Sequence, residues 1–175
     1  MASLRTLPGR PRYYVAGRTH PKVLAAGGAA YRDARRDQAS RCGVADSVSF
    51  DAEYRSVASL SALIQSSAAV VLPYDSTEQV TSGVLVDALA NGRPVIATAF
   101  PHAVELLSGG AGIVVDHDDP DAMASALHRV LTQPRLAGSM ASEARLLAPK
   151  LAWPVVGAAY LALAKRLVAA KPALV

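Results

Sequence analysis

Residues 72–98 read Leu-Pro-Tyr-Asp-Ser-Thr-Glu-Gln-Val-Thr-Ser-Gly-Val-Leu-Val-Asp-Ala-Leu-Ala-Asn-Gly-Arg-Pro-Val-Ile-Ala-Thr. An apolar strand ends at Leu72 and Pro73, a polar loop runs to Thr81, a helix opens near Ser82 and Gly83, and a second apolar strand closes the stretch. Residues 68–72 are apolar throughout, as suits a parallel strand covered on both faces, and Pro73 cannot continue its ladder. The turn at Asn91 and Gly92 leads into the second strand, residues 93–98. Strand, helix and strand in this order are the grammar of an α/β sheet.

The same alternation extends to both sides. Upstream, residues 12–17 read as a strand, Gly27 and Gly28 as a loop leading to a charged helix near 29–41, and residues 48–50 as a short strand. Ser56 can cap a helix in which Val57, Leu60, Leu63 and Ile64 recur with the spacing of one buried stripe. Downstream come a short helix near 103–107, a turn at Gly109 and Gly110, and a strand over 112–115. Asp119 and Pro120 form a cap and first-turn pair, with Met123, Leu127, Val130 and Leu131 facing inward. Helices near 135–147 and 153–170 follow, the last with Val156, Tyr160, Leu163 and Leu167 along one stripe. Five strands alternating with helices predict a doubly wound, mostly parallel, Rossmann-like sheet with extra C-terminal helices. Ligands of such sheets sit where strand carboxyl ends meet helix N-termini.

Composition narrows the function. The chain has 175 residues, 51% hydrophobic and 18% charged, which excludes a disordered chain. No apolar run reaches the roughly 18 to 20 residues of a membrane span, and no secretory leader opens the sequence, so a cytoplasmic protein without a transmembrane segment is expected. The single cysteine, Cys42, is expected to be a small buried residue. Net charge is +4, but residues 1–41 carry nine Lys or Arg against Asp33 and Asp37, while the rest carries nine against twelve acids. Arg18, Lys22, Arg32, Arg35, Arg36 and Arg41 lack interleaved stacking aromatics beyond Tyr13, Tyr14 and Tyr31, so a solvated helix face is expected and no nucleic-acid partner.

Several signatures are absent. After the first strand the chain reads Gly17-Arg18-Thr19-His20-Pro21, without the spaced glycines of a dinucleotide site, and no Gly-Lys-Ser/Thr phosphate loop occurs. Asp116-His117-Asp118-Asp119 has the look of a hard-cation clamp, but carboxylates before Pro120 are expected to cap a helix, so no metal is assigned. His102 has no visible acidic partner and reads as structural. At the helix opening, the free amides of Thr81, Ser82 and Gly83 would attract phosphate, and Asp87, one turn on, could accept hydrogen bonds from a ribose diol.

With these residues in view, the sequence resembles the donor-binding half of a family-4 retaining glycosyltransferase of the GT-B fold. The resemblance lies in Leu-Pro, the acidic loop, the small residue opening the helix, and Val-Leu-Val-Asp-Ala-Leu-Ala-Asn-Gly-Arg-Pro-Val-Ile-Ala-Thr. It extends over residues 12–50 and 111–131, and Gly-Arg-Thr-His-Pro at 17–21 with Ala-Tyr-Arg at 30–32 resembles one bacterial branch.

The resemblance implies that Asp87 holds the nucleotide ribose and that Ser82 and Gly83 supply amides to the donor phosphates. The family's first glutamate falls on Gln79, with Glu78 one position off, so which of the two occupies that place stays open. Asp51, Ala52, Glu53 and Tyr54 would frame the nucleobase. The family's phosphate-neutralising Arg and Lys belong to a strand-helix unit with no counterpart here; Arg18 and Lys22 stand in another loop, separated by three residues instead of four.

The expected identity is therefore the nucleotide-sugar-binding part of a hexosyltransferase, a fragment or truncated form. Residues 1–150 would form the Rossmann-like domain, and 151–175 a helix crossing toward a missing N-terminal acceptor domain. Its donor substrate is a nucleoside-diphosphate sugar, with no cofactor. It is expected to be inactive alone and to self-associate through strand edges and an apolar last helix. The alternatives are a non-catalytic Rossmann-like interaction module and a GT-B sugar-nucleotide epimerase relative.

Overall fold

The computed structural model describes residues 1–169. The chain forms two compact units, Met1–Leu60 and the part from Ser61 onward, with the boundary inside a helix.

In the first unit β1 (Tyr13–Ala16) and β2 (Val48–Asp51) pair in parallel, in register from Tyr13 with Val48 to Ala16 with Asp51. A parallel pair needs a crossover, which α1 (Pro21–Gly27) and α2 (Ala30–Arg41) supply. Gly17 prolongs the ladder by donating its amide to Asp51 O at 3.0 Å. Its φ of +113° lies where a side chain would be strained. Arg32 ties α2 to this loop, donating from Nη2 to Gly17 O at 2.6 Å and from Nε to Thr19 Oγ1 at 3.4 Å. Neither α1 nor α2 buries a residue, so the basic helix face is solvated as expected. Beside this thin core, burial pushes the Tyr13 phenol up from its ordinary pKa, and the neighbouring Tyr31 adds to the shift.

Two expectations fail in this unit. Helix α1 occupies part of what reads as loop, because Pro21 sits at its first position, His20 Nδ1 accepts from Lys22 N at 3.2 Å, and Gly28, at φ +59°, ends it. Cys42 is exposed, not buried. It caps the C-terminus of α2, a helix with no buried side chain, so no apolar surface awaits it.

α3 (Val57–Ser66) leads into the second unit. Ser56 Oγ accepts from Ser59 N at 3.2 Å, the expected cap. Of the expected stripe Ile64 is buried, but Val57 is 80% exposed. Helical spacing fixes a stripe's direction, not how far along the helix a partner surface extends.

The second unit holds a three-stranded parallel sheet in the order β3 (Val70–Leu72), β4 (Val95–Thr98), β5 (Gly112–Val115). The central strand is buried on both sides: Val95, Ile96 and Ala97 are fully covered. On one face Val95 and Ala97 pack with Leu85 and Leu89 of α4 (Gly83–Ala90), Phe100, and Leu107 of α5 (Pro101–Leu107). On the other, Ile96 packs with Ala126 and Val130 of α6 (Pro120–Thr132) and Met140 of α7 (Pro134–Leu147). Each large side chain so covered contributes about 1.5–3 kcal/mol. α8 (Trp153–Ala169) buries no residue.

The architecture is the expected α/β one, with parallel strands, alternating helices and extra C-terminal helices. The strands nonetheless fall into two sheets. Among the described residues no strand hydrogen-bonds to both β1 and β3.

Candidate functional site

The loop between β3 and α4 lies at the carboxyl end of the second unit's sheet, and three side chains shape it. Thr98, at the end of β4, donates its hydroxyl to Tyr74 O at 2.7 Å. The Tyr74 ring stands 4.9 Å from that of the fully buried Phe100, and its hydroxyl is 3.4 Å from Ser82 Oγ. Ser82 is the N-cap of α4, in extended geometry, and its Oγ accepts from Leu85 N at 3.2 Å.

His102, read as structural from sequence, enters this loop directly. Its Nδ1 accepts the Ser82 amide at 2.8 Å, and its own amide donates to Gln79 O at 3.4 Å. The Ser82 amide, expected to be free, is therefore taken. Gly83 and Val84 remain as first-turn amides that have no partner within the helix. No sequence signal marked His102, because its partner is a backbone amide twenty residues away.

The two candidates for the family's first acidic position differ here. Gln79 turns its side chain onto the loop, donating from Nε2 to Thr81 O at 3.0 Å. Glu78 is exposed, and its carboxylate has no hydrogen-bond partner among the described residues. Thr81 is exposed. Asp87, half-buried one turn into α4, likewise has no partner for its carboxylate, while its carbonyl accepts from both nitrogens of Asn91.

In the first unit, Asp51 at the end of β2 is engaged from three sides. Oδ1 accepts from Glu53 N at 2.8 Å, and Oδ2 accepts from Tyr14 Oη at 2.8 Å and Arg55 Nη2 at 2.5 Å. These bonds, the Glu53 amide first and then Tyr14 and Arg55, hold the Asp51 carboxyl below its ordinary pKa, and the bonds Arg55 makes to Asp51 and to Tyr14 Oη raise its own. Asp51 thus organises the 51–55 turn. Ala52, Glu53 and Tyr54 are exposed, and the Arg18 guanidinium stands 5.8 Å from the Tyr54 ring centroid.

Asp119 caps α6 as expected, accepting from Ala122 N at 2.8 Å. Among the described residues no cluster of three or more His, Cys, Asp or Glu is placed to hold a metal ion.

The family described as Glycosyl transferases group 1 matches residues 13–133 of the chain. Among curated proteins none matches. Sucrose-phosphate synthase from Thermosynechococcus elongatus superposes with a TM-score of 0.77 at 22% identity, over 97% of this chain and 42% of its own. HepE from Anabaena, in complex with UDP, gives 0.76 at 20% identity, over 95% of this chain and 43% of its own. The C-terminal domain of a group 1 family glycosyl transferase, LpcC, from Francisella tularensis gives 0.65 at 14%, over 85% of this chain and 89% of its own. The chain spans less than half the length of the first two, and at these identities the likeness is one of fold.

Proposed function

The chain belongs to the group 1 glycosyltransferases and carries the Rossmann-like, donor-binding domain of their GT-B fold, and on that premise we propose how it receives a nucleoside-diphosphate hexose. The diphosphate lies at the start of α4, against the amides of Gly83 and Val84. The helix dipole and unpaired N–H groups there favour negative charge. Asp87 accepts hydrogen bonds from the ribose, and Glu78 is the acid free to face the sugar. The observation that carries this reading is the pairing of an open helix start with an unpartnered carboxylate one turn away.

In the complete enzyme, the bond between the anomeric carbon and the diphosphate breaks, and the acceptor attacks from the retained face. Amides aimed at the departing diphosphate stabilise the charge that develops on it, usually the largest catalytic contribution. Acceptor binding and closure over the reacting centre are assigned to a second domain of the complete enzyme. Titration of the chain and of Asp87→Ala with UDP and GDP tests the assignment. Loss of the ribose contacts should cost about 1–3 kcal/mol of binding, and equal affinities would remove Asp87 from the site.

The chain is further proposed to self-associate through α8. Trp153 is 85% exposed and Tyr160 70% exposed, on a helix of 17 residues that buries none of them. An apolar surface of that extent favours a partner, here a second copy.

A further inference from the structure

We propose that His102 is a positioning residue for donor binding: it clasps the 79–82 loop to the first turn of α5 and so sets where Glu78 and the first amides of α4 stand. This assignment presupposes that the loop is the donor site. One residue holds the loop at two places. The His102 amide donates to Gln79 O at 3.4 Å, and the ring Nδ1 accepts from Ser82 N at 2.8 Å. The two bonds bracket Val80 and Thr81, whose side chains are exposed and supply no anchor of their own. A stretch whose side chains are exposed keeps one conformation only where its backbone is tied down.

His102 can act as an anchor because the core fixes it. Phe100, fully buried, accepts at its carbonyl from Ala103 N at 2.9 Å and Val104 N at 3.1 Å, which sets the first turn of α5. Pro101 opens that turn, and His102 follows it. The path therefore runs from the sheet core through Phe100 and His102 to the loop, and from Ser82 into α4.

The chemistry of the clasp is specific. An imidazole nitrogen that accepts an N–H carries no proton, so the clasp uses the tautomer with its proton on Nε2. Leucine fills similar space but offers no acceptor, leaving the half-enclosed Ser82 amide unpaired. Asparagine places Oδ1 close to where Nδ1 stands and can take the same amide. Serving the loop through Nδ1 makes His102 a residue that acts through Ser82 rather than one that touches the reacting atoms.

The test compares the chain with His102→Leu and His102→Asn by titration with UDP and GDP, with urea unfolding in parallel. His102→Leu should bind about threefold to tenfold more weakly, the worth of one hydrogen bond, and His102→Asn should recover most of the loss. If the parent binds and His102→Leu binds equally well, His102 does not position the loop, while the donor reading stands. If the parent binds neither nucleotide, the donor reading fails and this assignment with it. Should His102→Leu not fold, ring 15N shifts of the parent decide. An unprotonated Nδ1 beside a protonated Nε2 near neutral pH supports the clasp, and a proton on Nδ1 overturns it.

Discussion

Replacing Gly112 by alanine should destabilise the second unit, and the structure indicates by how much. Gly112 opens β5 opposite Val95 of the buried central strand. A Cβ there would stand 2.5 Å from Val95 O and 2.9 Å from both δ-carbons of Leu107. The carbonyl belongs to a fully buried strand, and Leu107 is itself packed, so neither neighbour can yield cheaply. Overpacking of this kind costs about 1–3 kcal/mol. The stiffer unfolded chain returns about 0.4–1 kcal/mol. A net loss of about 1–2 kcal/mol lowers the melting temperature by about 2–8 °C for a chain of this size. Gly138 is the control: it lies exposed within α7, with nothing within 4 Å of a built Cβ. Alanine there should stabilise by about 0.5–1 kcal/mol through helix propensity alone. Thermal and urea melts of the two variants should move in opposite directions. A Gly112→Ala protein that melts at or above the parent would refute the seating of β5 against β4.

Two further outcomes are expected. The Asp51 carboxyl is held below its ordinary pKa, so its contribution is present above the unfolded value of about 3.9 and lost as pH falls through the lower folded one. Asp51→Asn should therefore be less stable than the parent at neutral pH, with the difference closing as the buffer is made strongly acidic; a constant difference would show the clasp to Tyr14 and Arg55 contributes nothing through charge. Self-association through α8 should appear in light scattering over a tenfold dilution series and be reduced by Tyr160→Glu, whereas a monodisperse monomer at every concentration contradicts it.

What the sequence showed and what it hid divide along physical lines. β5 was legible residue for residue, because Gly112 and the polar run after Val115 bound three apolar residues on both sides. The starts of α4 and α6 were legible for the same reason, Ser82 and Asp119 being short acceptors placed before an apolar period. α1 was not, since seven residues opened by proline and closed by two glycines show no period. Cys42 was misplaced because residue type gives average burial, while its position at the end of a solvated helix decides the actual one. The His102 clasp left no trace, because a ring nitrogen meeting a backbone amide has no pattern in sequence. The split into two sheets rests on pairing between distant segments, which alternation of strands and helices does not specify.

The most direct measurement of the donor-site assignment is the set of backbone amide spectra recorded while UDP and GDP are titrated into the 15N-labelled chain. The account predicts saturable shifts at Gly83, Val84 and Asp87 for at least one of the two nucleotides, with smaller ones at Glu78 and Thr81. A folded chain whose α4 amides stay unmoved at saturating nucleotide, or whose shifts all lie elsewhere, would contradict it.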